Sequence, residues 1–192
     1  MSLSGSQEVQ GGGMKFEKTN IDGVFIIEHD VHKDARGAFV KTFHKDEFSQ
    51  MGLEWDFRES YYTRSKEDVI RGMHFQVPPH DHAKLATIIH GTVVDVILDL
   101  RRSSPTLGQH IAVEISRVNR RSIYIPRGCA HGFSVLGESA IVYYMVTSEH
   151  APAHDKGIRF DSFGYDWKVS QPIVSPRDLK FPTLAEFKDF FA

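Results

Sequence analysis

The sequence predicts an all-β fold, either a sandwich or a barrel. Ten short runs rich in β-branched and aromatic residues recur along the chain, separated by Gly, Pro, Asn and Asp. Only two segments carry a helical pattern, and both are short. Many short strands with few helices are typical of two-layer or closed β architectures. A chain of 192 residues, 41% of them hydrophobic, is long enough to enclose one core.

The predicted strands cover residues 24–28, 38–43, 58–63, 69–75, 85–90, 92–100, 111–116, 122–125, 132–135 and 141–147. Within the run 92–100, Val94 and Val96 share one face and Asp95 points to the other, as alternation in a strand requires. The His-Gly-Thr tripeptide at 90–92 separates two such runs and predicts a tight hairpin.

Two helices are predicted. A short one covers residues 46–51, and a second begins near Thr183. Thr183 and Glu186 have the spacing of a capping box, and Leu184, Phe187 and Phe191 then recur at helical intervals. The C-terminus is therefore predicted to form a helix that packs on the main body.

The organisation of the chain is simple. Residues 1–13 are rich in Ser, Gly and Gln and precede Met14, so we interpret them as an expression scar and residues 14–192 as a single domain. A net charge of −2 gives no indication of a nucleic-acid partner, and no apolar run approaches the roughly 20 residues that span a bilayer. A single cysteine, Cys129, and no visible secretory segment favour a cytoplasmic protein.

The run 70–76 carries the first candidate chemistry. Strict alternation would place Arg71 and Met73 on one face, and Gly72, His74 and Gln76 on the other. A histidine on an inward face can hold or move a proton near neutral pH. The nearby Lys84 can stabilise negative charge that develops during a reaction. The alternative is a core histidine beside two solvated charges.

A metal site is a second possibility. His80 and His82 have the His-x-His spacing that places two imidazoles on one side of a strand, and His74 and His131 could complete the set. Metal-binding cupin barrels typically add a carboxylate a few residues later, whereas this chain has none there. Lys84 would also repel a divalent cation. The prediction is therefore that no metal is bound.

Four further positions carry chemically useful side chains. Arg36 follows a turn and could clamp a phosphate bidentately. His131 stands at the start of a strand after a Pro-Gly turn, where it could also bond the backbone. One of the adjacent pair Tyr143 and Tyr144 must face inward from an apolar strand, where a phenol is either core or a general acid. Asp178, near the C-terminus, could orient a histidine as the third member of a triad does.

Taken in order, the motifs resemble the dTDP-4-dehydrorhamnose 3,5-epimerase family over about residues 23–178. They are Asp34-x-Arg36-Gly37-x-Phe39, Arg71-Gly72-Met73-His74-Phe75-Gln76, Lys84, Gly91-x-x-x-Asp95-Val96, Asp99-Leu100-Arg101, Ser104-Pro105-Thr106, Ile125-Pro126-x-Gly128-x-Ala130-His131-Gly132-Phe133 and Tyr144. The resemblance implies a cupin-type β-jelly roll, a homodimer, and a nucleotide-linked 4-keto-6-deoxy sugar as substrate, in deoxysugar and O-antigen-type polysaccharide biosynthesis. It also implies that no metal or organic cofactor is needed.

The resemblance also assigns roles to residues. It makes His74 the base and Asp178 its partner carboxylate, Tyr144 the proton donor for the opposite face, and Lys84 the group that stabilises the enolate oxygen. The positions matched to substrate binding are Arg36, Phe39, Lys41, Glu59, Tyr61, Arg71, Gln76, His131, Asp155 and Arg177.

The chain departs from the family pattern at several of these positions. Glu59 and Tyr61 stand where the family usually has Gln and Asn, Lys41 where it has Glu, and Arg177 where it has Lys. Replacing an amide pair by Glu and Tyr changes which hydrogen bonds the site can offer. Three alternatives follow: epimerisation at C3 or C5 alone, a metal-dependent cupin enzyme, and a binding module without catalysis on the same fold.

Overall fold

The computed structural model describes residues 8–10, 13–188 and 191. This part of the chain is mostly strand, with one short α-helix, α1 (Lys45–Gln50), and a 3₁₀ turn at Asp178–Lys180. The strands are β1 (Glu8–Gln10), β2 (Met14–Lys18), β3 (Phe25–His29), β4 (Val31–Asp34), β5 (Gly37–Val40), β6 (Glu59–Lys66), β7 (Ile70–Gln76), β8 (Lys84–Asp99), β9 (His110–Ser116), β10 (Arg121–Ile125), β11 (Cys129–Val146) and β12 (Asp155–Gly157). The predicted all-β class and the short helix at 46–51 are confirmed.

Ten of these strands form one antiparallel sheet, and β4 and β5 form a separate two-stranded hairpin. In the large sheet, neighbours follow the order β1-β2-β3-β10-β8-β11-β7-β12, while β6 also pairs with β11 and β9 with β8. The long strand β11 thus contacts β6, β7 and β8. Side chains from these four strands are brought together although they are far apart in sequence.

The hairpin predicted at residues 90–92 is wrong. The two predicted runs on either side of Gly91 are one continuous strand, β8, and the runs at 132–135 and 141–147 likewise merge into β11. Gly91 has a φ of +77°, and a Cβ there would lie 2.1 Å from the carbonyl oxygen of Ser139 on β11. Gly91 therefore lies at a bend where β8 and β11 come close together. The hairpin was predicted because glycine is also typical of hairpin turns.

The predicted C-terminal helix is also wrong, although its capping box forms. The Thr183 amide donates to Glu186 Oε2 (2.9 Å), and the Glu186 amide donates to Thr183 Oγ1 (3.3 Å). The chain then makes a single turn, and the Phe191 amide donates to the Leu100 carbonyl (3.0 Å) instead of continuing a helix. The Phe191 ring packs on Phe75 (5.7 Å between centroids), so docking onto the sheet outweighs local helix propensity. Residues 189, 190 and 192 lie outside the described residues.

Apolar packing fixes the position of β7. Ile70, Met73 and Phe75 are buried in a cluster that includes Trp167 and Phe187 from the C-terminal segment. A second cluster fills the space between β8, β10 and β11, with Ile97, Ile123 and Phe133 among its members. Because one face of β7 is covered by apolar side chains, its polar side chains face the other side.

The N-terminal residues are described only in part. The backbone of β1 pairs with β2, and Val9 lies opposite Phe16. Residues 1–7, 11 and 12 lie outside the described residues, so the interpretation of residues 1–13 as an expression scar, and of residues 14–192 as the domain, stays a prediction. In the described ranges, no helix is long and apolar enough to cross a membrane.

Candidate active site

A bulge in β7 places Arg71 and His74 on the same face. His74 lies opposite His131, and Arg71 lies opposite Phe133, so two residues of β7 face the single Gly132 between them. The alternation predicted for 70–76 is therefore wrong at this point. The reason is steric: a Cβ on Gly72 would lie 2.5 Å from Gly132 Cα, so the two glycines allow the backbones to approach.

His74 and Asp178 form a hydrogen-bonded dyad in which Asp178 is buried and His74 is partly exposed. His74 Nε2 lies 2.9 Å from Asp178 Oδ1, and the Gly72 amide donates to Asp178 Oδ2 (3.2 Å). Burial alone would raise the pKa of Asp178, but the hydrogen bonds from His74 and Gly72 outweigh burial and lower it. An ionised carboxylate can only accept, so Nε2 of His74 donates and Nδ1 is left to accept a proton.

A second histidine–aspartate pair lies beside the first. His131 Nε2 is 2.9 Å from the Asp95 carboxylate, and Asp95 is fully buried. Burial lowers the pKa of His131, and attraction to Asp95 offsets this only in part. His131 was predicted as a site residue, whereas Asp95 was not assigned a role. The available signal was an acidic side chain within the apolar run of β8.

Lys84 begins β8 and lies deep in the same region. It is 7% exposed, and burial lowers its pKa to about 8. The negative charges of Asp95 and Asp155 act in the opposite direction and raise the pKa, but by less. Its Nζ lies 5.7 Å from the centroid of the Tyr144 ring. An ammonium held here with little water around it can stabilise negative charge strongly.

Tyr144 is buried next to Tyr61. The two residues are directly opposite each other on β11 and β6, and their rings stack with 5.0 Å between centroids. Burial, together with the charge of Asp95, raises the pKa of Tyr144 well above its ordinary value. Its phenol therefore stays protonated at neutral pH, as a proton donor must.

A cavity of about 310 Å³ opens in front of these groups. Its lining residues are Glu59, Tyr61, His74, Phe75, Gln76, His82, Lys84, Val146, His150, Asp155 and Arg177. The structure thus brings together seven of the predicted site residues. His131 lines a narrower recess that shares His74 and Lys84 with the cavity, and Asp178 reaches the cavity through His74. Arg71 lies beside it, where its Nε donates to Ser65 Oγ (2.9 Å).

Charged groups frame the cavity mouth. Arg177 forms an ion pair with Asp155 (2.7 Å), and its guanidinium carbon lies 5.1 Å from the ring centroid of Phe181. The Phe181 ring in turn meets His74 edge-on at 5.8 Å. Half of the Arg177 side chain is exposed, so it can exchange Asp155 for an anionic ligand.

Gln76 holds the loops around the cavity. Its amide nitrogen lies 2.8 Å from the His80 carbonyl oxygen and 3.2 Å from that of Glu149, and its oxygen accepts from the Ala151 amide (2.6 Å). These bonds use most of the hydrogen-bonding groups of the Gln76 side chain, so Gln76 supports the cavity wall. Phe181 was missed as part of the site, since nothing in its local sequence marks it, whereas the family pattern pointed to Glu149 or His150 as a position where an aromatic often stacks.

Arg36, Phe39 and Lys41 are not brought to this cavity. Arg36 and Phe39 lie on the β4–β5 hairpin, and Lys41 directly follows it. The Arg36 side chain is 90% exposed and pairs with Asp34 at 2.6 Å, while Phe39 is 60% exposed. Within one chain, the predicted substrate-binding residues thus fall into two separate places.

The histidines considered for a metal site do not converge. His82 lines the cavity, and burial with the nearby charge of Lys84 lowers its pKa to about 3. His80 instead packs against His154, with 4.5 Å between ring centroids. Among the residues that the structure describes, no three or more His, Cys, Asp or Glu side chains are placed to hold a metal ion.

Comparison with known proteins adds independent information. A relative in Methanothermobacter thermautotrophicus, a dTDP-4-dehydrorhamnose 3,5-epimerase, is 40% identical over 177 residues, 90% of this chain and 95% of its own. A dTDP-4-dehydrorhamnose 3-epimerase of Streptomyces niveus is 32% identical over 92% of this chain and 86% of its own.

A solved structure also resembles this chain closely. The dTDP-6-deoxy-D-glucose-3,5-epimerase of Legionella pneumophila, in complex with dTDP-4-keto-L-rhamnose, has a TM-score of 0.87 and 33% identity, covering 91% of this chain and 95% of its own. Such agreement confirms the cupin-type jelly roll. The family model described as dTDP-4-dehydrorhamnose 3,5-epimerase matches residues 18–186. The chain belongs to the dTDP-4-dehydrorhamnose 3,5-epimerase family, whose members are isomerases.

Proposed function

We propose that the protein epimerises C3, C5 or both carbons of a dTDP-linked 4-keto-6-deoxyhexose, in deoxysugar biosynthesis. The observation that carries the proposal is the His74–Asp178 dyad, whose partly exposed histidine lines the same cavity as Lys84. This arrangement joins a base, the carboxylate that orients it, and a cation for developing charge. Similar enzymes act on such sugars, and one was solved with dTDP-4-keto-L-rhamnose.

The first half of the reaction follows from the chemistry of the ketone. A carbonyl at C4 acidifies the protons on C3 and C5, because the carbanion delocalises onto oxygen. Nδ1 of His74 takes the proton, and Asp178 stabilises the resulting imidazolium through Nε2. Lys84 is placed to stabilise the enolate oxygen.

The second half returns a proton to the opposite face of the sugar ring. The family pattern assigns this role to Tyr144, whose raised pKa keeps its phenol protonated. Tyr144 and its neighbour Tyr61 belong to β11 and β6, whereas His74 belongs to β7. Donor and base therefore come from different strands.

Recognition of the nucleotide needs positive charge outside the reaction centre. Arg177 lines the cavity and is suited to bind a diphosphate, since its guanidinium group can donate two parallel hydrogen bonds to phosphate oxygens. Glu59 lines the same cavity and accepts the His150 amide through one oxygen (2.7 Å), which leaves the other for a donor on the ligand. Asp155, Arg71 and His131 complete the proposed contacts to the substrate.

We further propose a cytoplasmic homodimer. Phe39 and Arg36 are exposed on the β4–β5 hairpin, and neither lines the cavity of its own chain. If these residues contact substrate, as the family pattern implies, they must do so at the cavity of a second copy. The exposed phenyl ring is then buried on assembly, which supplies part of the association energy.

Incubation with dTDP-4-keto-6-deoxyglucose in heavy water tests the proposed reaction. Proton NMR should detect deuterium entering C3, C5 or both, together with a new epimer. His74→Ala should abolish both, while His90→Ala, which changes an exposed histidine of β8, should leave them unchanged. Absence of exchange in the wild-type protein with this and other nucleotide-linked 4-keto sugars would sink the proposal.

The position of the label decides between one and two epimerised carbons. A 3-epimerase is among the relatives, so either outcome is compatible with the family. Label at both carbons identifies a 3,5-epimerase, whereas label confined to one carbon identifies a single-position enzyme.

A further inference from the structure

One short turn of the chain contacts the base from two directions. The 3₁₀ turn at Asp178–Lys180 follows Arg177 and ends where the Phe181 amide donates to the Asp178 carbonyl (3.4 Å). Asp178 bonds Nε2 of His74, and the Phe181 ring meets the imidazole edge-on, with 5.8 Å between centroids and 78° between the planes. The carboxylate of the dyad and an aromatic contact to the same imidazole thus belong to one local structure.

The space for the Phe181 ring comes from a glycine opposite the base. Gly157 on β12 is paired with His74 on β7, and side chains of paired residues project from the same face of a sheet. A Cβ on Gly157 would lie 2.2 Å from Cε2 of Phe181, so the ring occupies the volume that a side chain here would need. Phe181 therefore fills the place beside His74 that the neighbouring strand leaves open.

The second neighbour of Phe181 is a cation that lines the cavity. The guanidinium carbon of Arg177 lies 5.1 Å from the centroid of the Phe181 ring, within the range of a cation–π contact. The same guanidinium pairs with Asp155 at 2.7 Å, and Arg177, Asp155 and His74 all line the cavity. A single ring therefore separates the base from the group that is suited to bind a diphosphate.

We propose that Phe181 is a positioning residue, which holds the imidazole of His74 at the angle needed for proton abstraction and couples it to the anion bound by Arg177. The inference rests on the proposed epimerase function and deepens it. The hydrogen bond to Asp178 fixes one nitrogen of the imidazole but leaves the ring able to tilt about that bond. Because the His74 side chain is 30% exposed, contact with Phe181 on a second side restricts the tilt.

The coupling follows from competition for one guanidinium. Diphosphate oxygens that replace Asp155 as the partner of Arg177 shift the guanidinium, and with it the ring of Phe181 on which it lies. The imidazole, held between Phe181 and Asp178, then takes its reactive orientation as the substrate arrives. Binding energy from the nucleotide, remote from the reacting carbon, thereby contributes to the chemical step.

Leucine and tyrosine substitutions separate positioning from support of the fold. Phe181→Leu keeps an apolar side chain and removes the ring, whereas Phe181→Tyr keeps the ring. Phe163→Leu is the matched control, because Phe163 is partly buried like Phe181 and also meets a histidine edge-on, His110 at 5.4 Å. Neither Phe163 nor His110 is among the described residues that line the cavity. The thermal midpoint, kcat and KM are measured for each variant.

Phe181→Leu is expected to lower kcat on dTDP-4-keto-6-deoxyglucose by about tenfold or more, since a small displacement of a reacting group is that costly. KM should change much less. Phe181→Tyr should recover most of the lost kcat, and Phe163→Leu should keep the wild-type kcat although both leucine variants lower the thermal midpoint. A smaller loss in Phe181→Leu, an equal loss in Phe163→Leu, or a kcat of Phe181→Tyr no higher than that of Phe181→Leu would overturn the positioning role. A wild-type protein that is inactive on every nucleotide-linked 4-keto sugar would instead refute the epimerase function.

The coupling to the anion is tested without turnover. Nitrogen NMR of the protein labelled at histidine follows the His74 ring during titration with dTDP, which supplies the diphosphate without the sugar. Binding should shift the His74 signals of the wild type, and in Phe181→Leu the shift should disappear although dTDP still saturates the site. A shift that persists in the variant, or dTDP binding to the wild type without a shift, would overturn the coupling. Absence of dTDP binding to the wild type would count against the proposed substrate class.

Discussion

Two regions of the molecule hold their side chains in contrasting ways. One is the set of strands around His74, β6, β7, β8 and β11, called the strand wall below; the other is the β4–β5 hairpin that carries Arg36. His74 lies on β7, backed by buried Met73 and Phe75 and bonded to a carboxylate that is itself buried. Arg36 lies at the tip of a two-stranded hairpin, with its side chain almost fully exposed. The side chains around His74 are thus held in place within one chain, whereas Arg36 contacts little in its own chain besides Asp34.

The difference suggests a division of labour. Groups that move protons need fixed distances, and packed strands supply them. Groups that only bind can be ordered when the ligand or a second chain arrives, at some entropic cost. Substitutions in the wall should therefore lower kcat strongly, and substitutions in the hairpin should mainly raise KM.

Asp178→Asn should have the largest effect. The amide can donate to Nε2 of His74, which would move the ring proton to Nδ1 and remove the base. We expect kcat to fall by about 10³- to 10⁴-fold with KM little changed. Steady-state kinetics measures this, and a loss below tenfold would show that the dyad does not orient the base.

Lys84→Gln should have the second-largest effect, a fall in kcat of about 10²- to 10³-fold. Burial lowers the pKa of Lys84 to about 8, so its stabilising charge is present below that pH and is lost as the pH rises through it. The wild-type kcat should therefore decline above pH 8, and the residual activity of Lys84→Gln should show no such decline. An alkaline limb that persists in the variant would assign it to another group.

Gly132→Ala tests the backbone of the wall. A Cβ there would lie 2.7 Å from Met73 Sδ and 2.8 Å from the Arg71 carbonyl oxygen. Overpacking of this kind should lower the free energy of unfolding by about 1 to 3 kcal/mol and shift His74. Glu138→Ala, which truncates an exposed side chain on the same strand, is the comparison for denaturant unfolding. Equal stability of Gly132→Ala and the wild type would show that the bulge tolerates a side chain.

Arg36→Ala should have the smallest effect, a rise in KM of about tenfold. The thermal midpoint should not change, because the Arg36 side chain packs against little in its own chain. Mixing Arg36→Ala with His74→Ala chains adds a sharper test. If the hairpin serves the cavity of the partner, a mixed dimer contains one site with both His74 and the partner's Arg36 intact, and that site should show the wild-type KM that Arg36→Ala alone lacks. Failure of the mixture to exceed the sum of its parts would place each hairpin at its own cavity, or outside catalysis.

Local sequence patterns predicted most strands because alternation is a local property. They could not reveal that Gly91 bends a continuous strand, since the contact that requires glycine comes from Ser139 across the sheet. The prediction of a C-terminal helix was wrong for a similar reason. The capping box at Thr183 is a local contact and could be predicted, whereas the bond from Phe191 to Leu100 joins residues far apart in sequence.

The candidate site was predictable mainly through the family resemblance. His74 and Asp178 are separated by 104 positions, so no spacing rule could join them. The pairing of His131 with Asp95 and the stack of Tyr61 on Tyr144 depend on strand register, which one sequence does not specify. The bulge that turns Arg71 toward His74 likewise depends on contact between two glycines on different strands.

The tautomer of His74 is the quantity on which the proposed mechanism depends. Nitrogen NMR of the protein labelled at histidine, with His74→Ala to assign the signals, measures it at neutral pH. The dyad predicts a proton on Nε2, held by Asp178, and an unprotonated Nδ1 that Asp178→Asn converts to the protonated form. A wild-type ring protonated on Nδ1 would contradict the assignment of His74 as the base.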